Sequence, residues 1–203
     1  MKKVILYTFV LLAVGLALVY AQNTLKNPKK AVIKELAEIY ENYGDSFFKS
    51  VFSIESIRPY AILQLDKAID NYDNSNWLSY NSFVEKLSNN ERSTLLIKIN
   101  EYILSQESKE NQDKVIVSIK LWCIAEAQLN FIEQKLNFSK TEILVAGKKI
   151  ISSTNETEFT IDSKDNLDLQ FNKLLNYVTK LDNHRQMEFF SAIYHELASE
   201  NKK

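Results

Sequence analysis

Residues 113 to 136 read DKVIVSIKLWCIAEAQLNFIEQKL, and this stretch decides the fold. Between Val115 and Ile124, apolar side chains occupy every direction around a helix axis. A helix that is apolar on all sides is typically buried by its neighbours. The sequence therefore predicts a long helix from Asp113 to Leu136 that lies buried at the centre of the molecule.

The elements around this helix are predicted to be helices as well, because residues that break helices are rare. After residue 21 the chain contains only Gly44, Gly147, Pro28 and Pro59 of these types. A β-sandwich or an α/β enzyme of this length needs many more turn residues and glycine-rich loops. We therefore predict an all-α fold, a single bundle-like domain of about seven or eight helices after an N-terminal signal or anchor segment.

Helical spacing of apolar residues and capping residues predict the helix boundaries. Ser88 with Glu91, and Ser139 with Glu142, have the spacing of a capping box, and Asp182 is placed to cap the last helix. The first predicted helix runs from Pro28 to about Tyr43, and after an end or bend at Gly44 its pattern continues through Phe47 to Phe52. The other predicted helices are Pro59 to about Tyr72, Trp77 to Leu87, Ser88 to Leu104, Asp113 to Leu136, Ser139 to Ile150, Lys164 to Lys180 and Asn183 to Glu200.

Three parts of this outline involve irregular or special positions. Polar residues predict loops at Asp70 to Asn76 and at Ser105 to Gln112. Gly147 is expected to let two backbones approach closely. The span from residue 150 to residue 161 fits a helix, a hairpin or a loop, because its β-branched residues are followed by an alternating pattern.

The N-terminal segment predicts export. Two lysines near the start are followed by residues 4 to 21, which carry no charge, and Val19 and Ala21 suit a signal peptidase that cuts ahead of Gln22. We expect a periplasmic or secreted protein after cleavage near Ala21. A single-pass anchor, with the domain exported or cytosolic, is the alternative, because the apolar run spans about 27 Å as a helix and membrane hydrocarbon is about 30 Å thick.

This interpretation divides the chain into three parts. Residues 1–21 are the signal peptide or signal anchor, residues 22–28 are a linker, and residues 29–203 are the helical domain. Membrane contact is expected only through residues 4–21, and only if they are not removed.

The charge balance argues against nucleic acid as a partner. Removing the two N-terminal lysines from the 25 basic residues leaves 23 against 26 acidic residues, a net charge of −3. A nucleic-acid binder usually carries a basic patch that matches the phosphate charge, and the sequence shows no sustained basic run.

The sequence lacks the residue sets that common metal and haem sites require. His184 and His195 are eleven residues apart, about 16 Å along one helix, which is too far for one metal ion. His195-Glu196 begins like a zinc-protease motif, but Ser199 stands where the second histidine belongs. Cys123 is the only cysteine and lies in an apolar run, so it is expected to be a buried structural residue.

Phosphate and hydrolase motifs are also absent. Gly147-Lys148 resembles the end of a nucleotide-binding loop, but Glu142 stands where that loop needs its earlier glycine. Two widely separated glycines cannot form the nucleophile elbow of a serine hydrolase. We therefore predict no catalytic site, no metal site and no cofactor.

One polar set on the central helix remains a pocket candidate. Glu126, Asn130 and Glu133 follow one another at spacings of four and three residues, which places them along one face. Two carboxylates there can line a pocket. They can equally reach the surface or pair with basic side chains, because burying an unpaired charge is very costly.

These observations favour a protein that is not an enzyme and that binds another protein in the cell envelope, in an inhibitor, immunity-type or chaperone-like role. Two alternatives stay open. One is a small-ligand carrier or an unrecognised enzyme that uses a pocket between helices, and the other is a membrane-anchored structural subunit. The oligomeric state cannot be predicted from the sequence.

The mass of the protein purified from its own cells tests the N-terminal prediction. We expect a chain that begins at Gln22 and is found in a soluble fraction, because signal peptidase removes residues 1–21. An intact Met1 in the membrane fraction would instead establish the anchor.

Overall fold

The computed structural model describes residues 28–64, 83–154 and 164–200. The predictions for residues 1–27, for the loop at Asp70 to Asn76 and for residues 155–161 lie outside the described residues. Residues 77–82, which make up the first part of the helix predicted to end at Leu87, also lie outside the described residues. At the end of that segment, residues 83 and 84 are helical and are followed by a turn.

The described residues form eight helices and no strand, so the predicted all-α fold is confirmed. In chain order the helices are α1 (Pro28–Tyr43), α2 (Asp45–Ser53), α3 (Arg58–Leu63), α4 (Asn89–Leu104), α5 (Lys109–Gln134), α6 (Lys140–Ser153), α7 (Leu167–Thr179) and α8 (Asn183–Glu200).

The predicted caps are confirmed. At α4 the amide of Glu91 donates to Ser88 Oγ (3.3 Å), and Glu91 Oε2 accepts from the amide of Ser88 (2.8 Å). Ser139 and Glu142 repeat both bonds at α6. Asp182 Oδ1 accepts from the amide of Arg185 (2.9 Å) at the start of α8. Each cap satisfies amides that the first helical turn leaves without a partner.

Gly44 ends α1, as predicted. Its amide donates to the carbonyl of Tyr40 (2.7 Å), and its φ of 55° turns the chain before α2 begins at Asp45. This region of backbone space favours glycine because a Cβ atom would be crowded there. The turn brings α2 back against α1.

The helix predicted to end at Leu87 stops at residue 84, before a turn, and three further predicted boundaries are wrong. The helix that contains Pro59 ends at Leu63 rather than near Tyr72. The helix predicted from Lys164 begins at Leu167, because Asn166 Oδ1 accepts from the amide of Leu169 (2.8 Å). The central helix runs from Lys109 to Gln134 instead of from Asp113 to Leu136.

The early start of α5 has a local cause. Ser108 Oγ accepts from the amide of Asn111 (3.2 Å), which caps the helix inside the stretch predicted to be a turn. Lys109 then pairs with Asp113, and Glu110 pairs with Lys114 (2.7 Å), both four residues apart on the surface. A polar first turn is stable when it is exposed and paired, although it lacks apolar periodicity.

The structure also resolves part of the ambiguous span. Residues 150 to 153 are helical and belong to α6, so neither a hairpin nor a loop begins at Ile150. Gly147 of this helix does permit a close approach, but not between two backbones as expected. The side chain of Leu174 in α7 fills the space, and a Cβ atom on Gly147 would lie 2.9 Å from Leu174 Cδ1.

The helices pack as two groups that share α5. The first core is formed by α1 to α4, residues 84 and 87, and the N-terminal half of α5, and includes Leu36, Phe48, Phe52, Leu95, Ile99, Ile119 and Cys123. The second core is formed by α6, α7, α8 and the C-terminal half of α5, and includes Trp122, Leu129, Ile132, Ile143, Leu174, Val178 and Ile193. The central position predicted for this helix is therefore correct.

Replacing a capping hydroxyl tests how α6 begins. We expect Ser139→Ala to lower the free energy of unfolding by about 1 kcal/mol, because the amide of Glu142 loses its acceptor. Urea unfolding followed by circular dichroism measures this. Ser152→Ala is the matched control, because Ser152 is exposed on the same helix and only bonds its own preceding turn. Equal losses in the two variants would contradict the capping role.

Candidate functional site

The predicted polar set is divided by the structure. Glu126 is buried on α5, whereas Asn130 and Glu133 are half-buried on the same helix. Glu126 Oε1 lies 3.3 Å from Lys49 Nζ of α2, and the side chains of the two residues are 11% and 20% exposed. Glu126 Oε2 is buried and has no hydrogen-bond partner among the described residues. The Glu126 carboxylate therefore forms an ion pair that joins α5 to α2.

Lys49 is a residue that the sequence analysis missed. It stands in the run FFKSVF of α2, where Phe47, Phe48, Val51 and Phe52 are buried. A lysine inside such a run usually extends its aliphatic part along apolar neighbours and directs its ammonium group to a partner. That position was the available signal, but it does not name the partner.

Two arginines hold the two ends of α2 in place. At its N-terminal end, Arg92 pairs with Asp45 and donates to the carbonyls of Val84 (2.9 Å) and Leu87 (3.0 Å). At its C-terminal end, Arg58 donates to the carbonyls of Phe52 (2.6 Å) and Ser53 (2.8 Å). Both ends of α2 are therefore fixed by side chains from α3 and α4.

Next to this ion pair lies the only cysteine. Lys49, Ser50, Cys123 and Glu126 together form what we call the α2–α5 seam. Burial raises the pKa of the Cys123 thiol from its ordinary value of 9.0 to about 12, the negative charge of Glu126 adds to the rise, and a hydrogen bond with Ser50 opposes it. A reactive cysteine needs a lowered pKa and exposure. The Cys123 thiol is therefore protonated and inert at neutral pH.

Glu126, Asn130 and Glu133 line none of three clefts that the described helices form on the surface. The largest, of about 810 Å³, lies where the two helix groups meet and has apolar walls from Ile54, Leu121, Trp122 and Leu181. A second, of about 280 Å³, separates α5 from α8, and a third, of about 400 Å³, separates α1 from α5.

The titratable side chains do not converge on a metal site in the part of the chain that the structure describes. His184 and His195 are exposed on α8, and His184 Nδ1 lies 3.5 Å from Glu188 Oε2. Their surroundings are those of surface residues.

One side of α5 is only partly covered by the described helices. Five residues on it recur at spacings of three and four, and we call them the open face: Val117, Lys120, Ile124, Ala127 and Phe131. Val117 is 51% exposed and Phe131 is 47% exposed, while Ile124 is half-buried. The sequence predicted a helix buried at the centre of the molecule, and the exposure of Val117 and Phe131 shows that this burial is incomplete on one side.

The neighbouring helix α8 widens the open face. Met187 of α8 is 66% exposed and lines the 280 Å³ groove together with Ile124, Gln128 and Ser191. Tyr194 Oη bonds Gln128 Oε1 (2.8 Å) at one end of the groove. Exposed apolar side chains that lie together mark interaction surfaces more often than isolated ones do.

By length and composition α5 could cross a membrane, and no other described helix meets these criteria. However, 44% of its most apolar 18-residue window is buried within the fold. The buried side chains belong to both cores, as expected for the core helix of a domain.

No protein-family model matches the chain, and neither a curated protein nor a solved structure matches it.

Substitution of the ion pair tests the structural role of the α2–α5 seam. We expect Glu126→Gln to lower the free energy of unfolding by about 1 to 2 kcal/mol, because the half-enclosed ammonium of Lys49 loses its countercharge. We expect the double variant Lys49→Met with Glu126→Leu to recover most of this loss, because an apolar pair can replace a buried ion pair.

Glu133→Gln is the control for this experiment, since Glu133 lies on the same helix and is half-buried. We expect it to change the free energy of unfolding by less than about 0.5 kcal/mol. Urea unfolding measures all three variants, and equal losses for Glu126→Gln and Glu133→Gln would refute a specific contribution of the pair.

Proposed function

We propose that this chain is an exported, non-enzymatic helical protein of the cell envelope that binds another protein through the open face of α5. The role is inhibitory, immunity-type or chaperone-like. The observation that carries the proposal is the exposure of Val117 and Phe131 on the one described helix that is long and apolar enough to cross a membrane, beside the exposed Met187.

Physical chemistry supports this use of the surface. Leaving large apolar side chains in water gives up roughly 25 cal/mol for each Å² of apolar surface that a partner would cover. Apolar residues spaced by three and four on one helix match the way in which two helices pack together. Lys120 lies within the same stripe and supplies a polar contact that can select a partner.

The structural residues of the α2–α5 seam support a role other than catalysis. The Cys123 thiol is protonated at neutral pH, and Glu126 is engaged with Lys49. A general acid or base must reach a substrate, and Glu126 lines none of the three clefts described above. Export is supported by the N-terminal residues alone, and the anchored structural subunit depends on residues 4–21 remaining attached.

The 810 Å³ cleft favours a second candidate, a small-ligand carrier. Its volume falls within the range of about 300 to 1,000 Å³ that is common for ligand pockets, and Trp122 contributes to its walls. Native mass spectrometry of the protein from its own cells distinguishes the two functions, because a carrier retains the mass of its ligand.

Photo-crosslinking tests protein binding at the open face. A photoreactive amino acid is placed at Val117 in the full chain, expressed in its own cells, and the adducts are analysed. Val145 of α6 provides the matched control, because it is also a valine that is 51% exposed and lies on a different helix. We expect a protein adduct from position 117 and none from position 145.

Absence of an adduct at position 117, or equal adducts from the two positions, would contradict the proposal. We expect Val117→Lys to remove the complex without loss of stability, because the side chain is half exposed and an exposed lysine is tolerated there. Val145→Lys should leave the complex intact.

A further inference from the structure

We propose that the partner of the open face is a second copy of this chain, bound so that the two α5 helices run antiparallel. This inference rests on the proposed function, because it names the partner of the same surface. It draws on three observations: the spacing of the open face, the distribution of charge at its two ends, and the position of Met187 beside it.

The spacing suits pairing of two identical helices. The residues of the open face follow one another at intervals of three, four, three and four, which is the spacing of a seam between two packed helices. An interface between two identical copies with two-fold symmetry uses the same patch on both. The two helices run antiparallel when the two-fold axis is perpendicular to them and parallel when the axis lies along them, and the charges described below favour the antiparallel pair.

The register follows from the position of Ile124. Val117 and Phe131 each lie seven residues from Ile124, in opposite directions. When Ile124 meets Ile124 of the second copy, Val117 therefore meets Phe131 of the second copy, and a small side chain faces a large one. This match is what close packing between helices requires.

In this antiparallel register, the charges at the two ends of the paired α5 helices are complementary. Asp113 and Lys135 are both exposed, and each lies eleven residues from Ile124. Asp113 also pairs with Lys109 on the surface of α5, and an exposed pair of this kind is weak enough to exchange its partner. An antiparallel pair brings Asp113 next to Lys135 of the second copy, twice by symmetry. A parallel pair would bring equal charges together at both ends and also at Lys120, which is repulsive.

Met187 extends the contact beyond a single pair of helices. It is exposed at the edge of the groove between α5 and α8, which offers a recess for an apolar side chain of the second copy. The open face is only about 21 Å long from Val117 to Phe131. So short a contact buries less surface area than a standard protein–protein interface. The dimer is therefore weak, and the fraction of protein in it depends on the protein concentration.

Sedimentation velocity of the full-length mature protein over a series of concentrations measures this dimer. We expect Val117→Lys to weaken dimerisation at least tenfold, because a charged side chain replaces the valine that packs against Phe131 of the second copy. Val145→Lys should leave dimerisation unchanged. We expect Asp113→Lys to weaken it about fivefold, and the double variant Asp113→Lys with Lys135→Asp to restore it.

Disulfide trapping tests the direction of the helices. In a Cys123→Ala background, Ile124→Cys should form a disulfide between two copies under mild oxidation, because the two-fold axis brings the two introduced thiols together. Val117→Cys should form none, because an antiparallel pair separates these positions by about 21 Å.

Each outcome decides between the two proposals. A monomer at all concentrations, or disulfides from Val117→Cys, overturns the antiparallel dimer. If the protein is a monomer and photo-crosslinking at Val117 captures a different protein, the proposed function stands and the inferred partner is wrong. If neither a dimer nor an adduct is found, both are wrong.

Discussion

The whole arrangement depends on the burial of one helix against two cores. Ile119 and Cys123 of α5 enter the core that contains α1 to α4, and Leu129 and Ile132 enter the core that contains α6 to α8. Fully burying one side chain of this size contributes about 1.5 to 3 kcal/mol. Since α5 supplies a wall to each group of helices, neither core is complete without it, and the two groups are joined through the same helix.

The same constraint accounts for the open face. Helices α2 and α7 make the most extensive contacts with α5, while α1, α4, α6 and α8 touch it less closely. The seven shorter helices are divided between two cores, so they do not surround α5 completely. A sequence that is apolar in every direction then leaves apolar residues such as Val117 and Phe131 exposed. This surplus of apolar surface distinguishes the helix from an ordinary amphipathic one.

Features that depend on a few neighbouring residues could be predicted from the sequence, and features that depend on packing could not. The caps at Ser88 and Ser139 are local, because each involves side chains three residues apart. The start of α5 at Lys109 was missed because its first turn is polar. The pairing of Glu126 with Lys49, 77 residues away in the chain, requires the position of α2 against α5, which no local pattern contains.

Several polar groups of α5 and α8 lie close to the place where the two cores meet. We attribute to them a role in selecting one packing arrangement of the helices rather than a gain in stability. Glu126 Oε2, Trp122 Nε1 and Gln186 Oε1 are buried without a hydrogen-bond partner among the described residues, which costs free energy. Yet Gln186 Nε2 donates hydrogen bonds to the carbonyls of Leu121 (3.3 Å) and Val178 (3.0 Å), and these bonds join α8 to α5 and α7. Sliding α2 along α5 by one turn would separate Lys49 from Glu126 by about 5.4 Å more. Apolar side chains would tolerate such a shift better than this pair does, so the ion pair and the amide define one register for each group of helices.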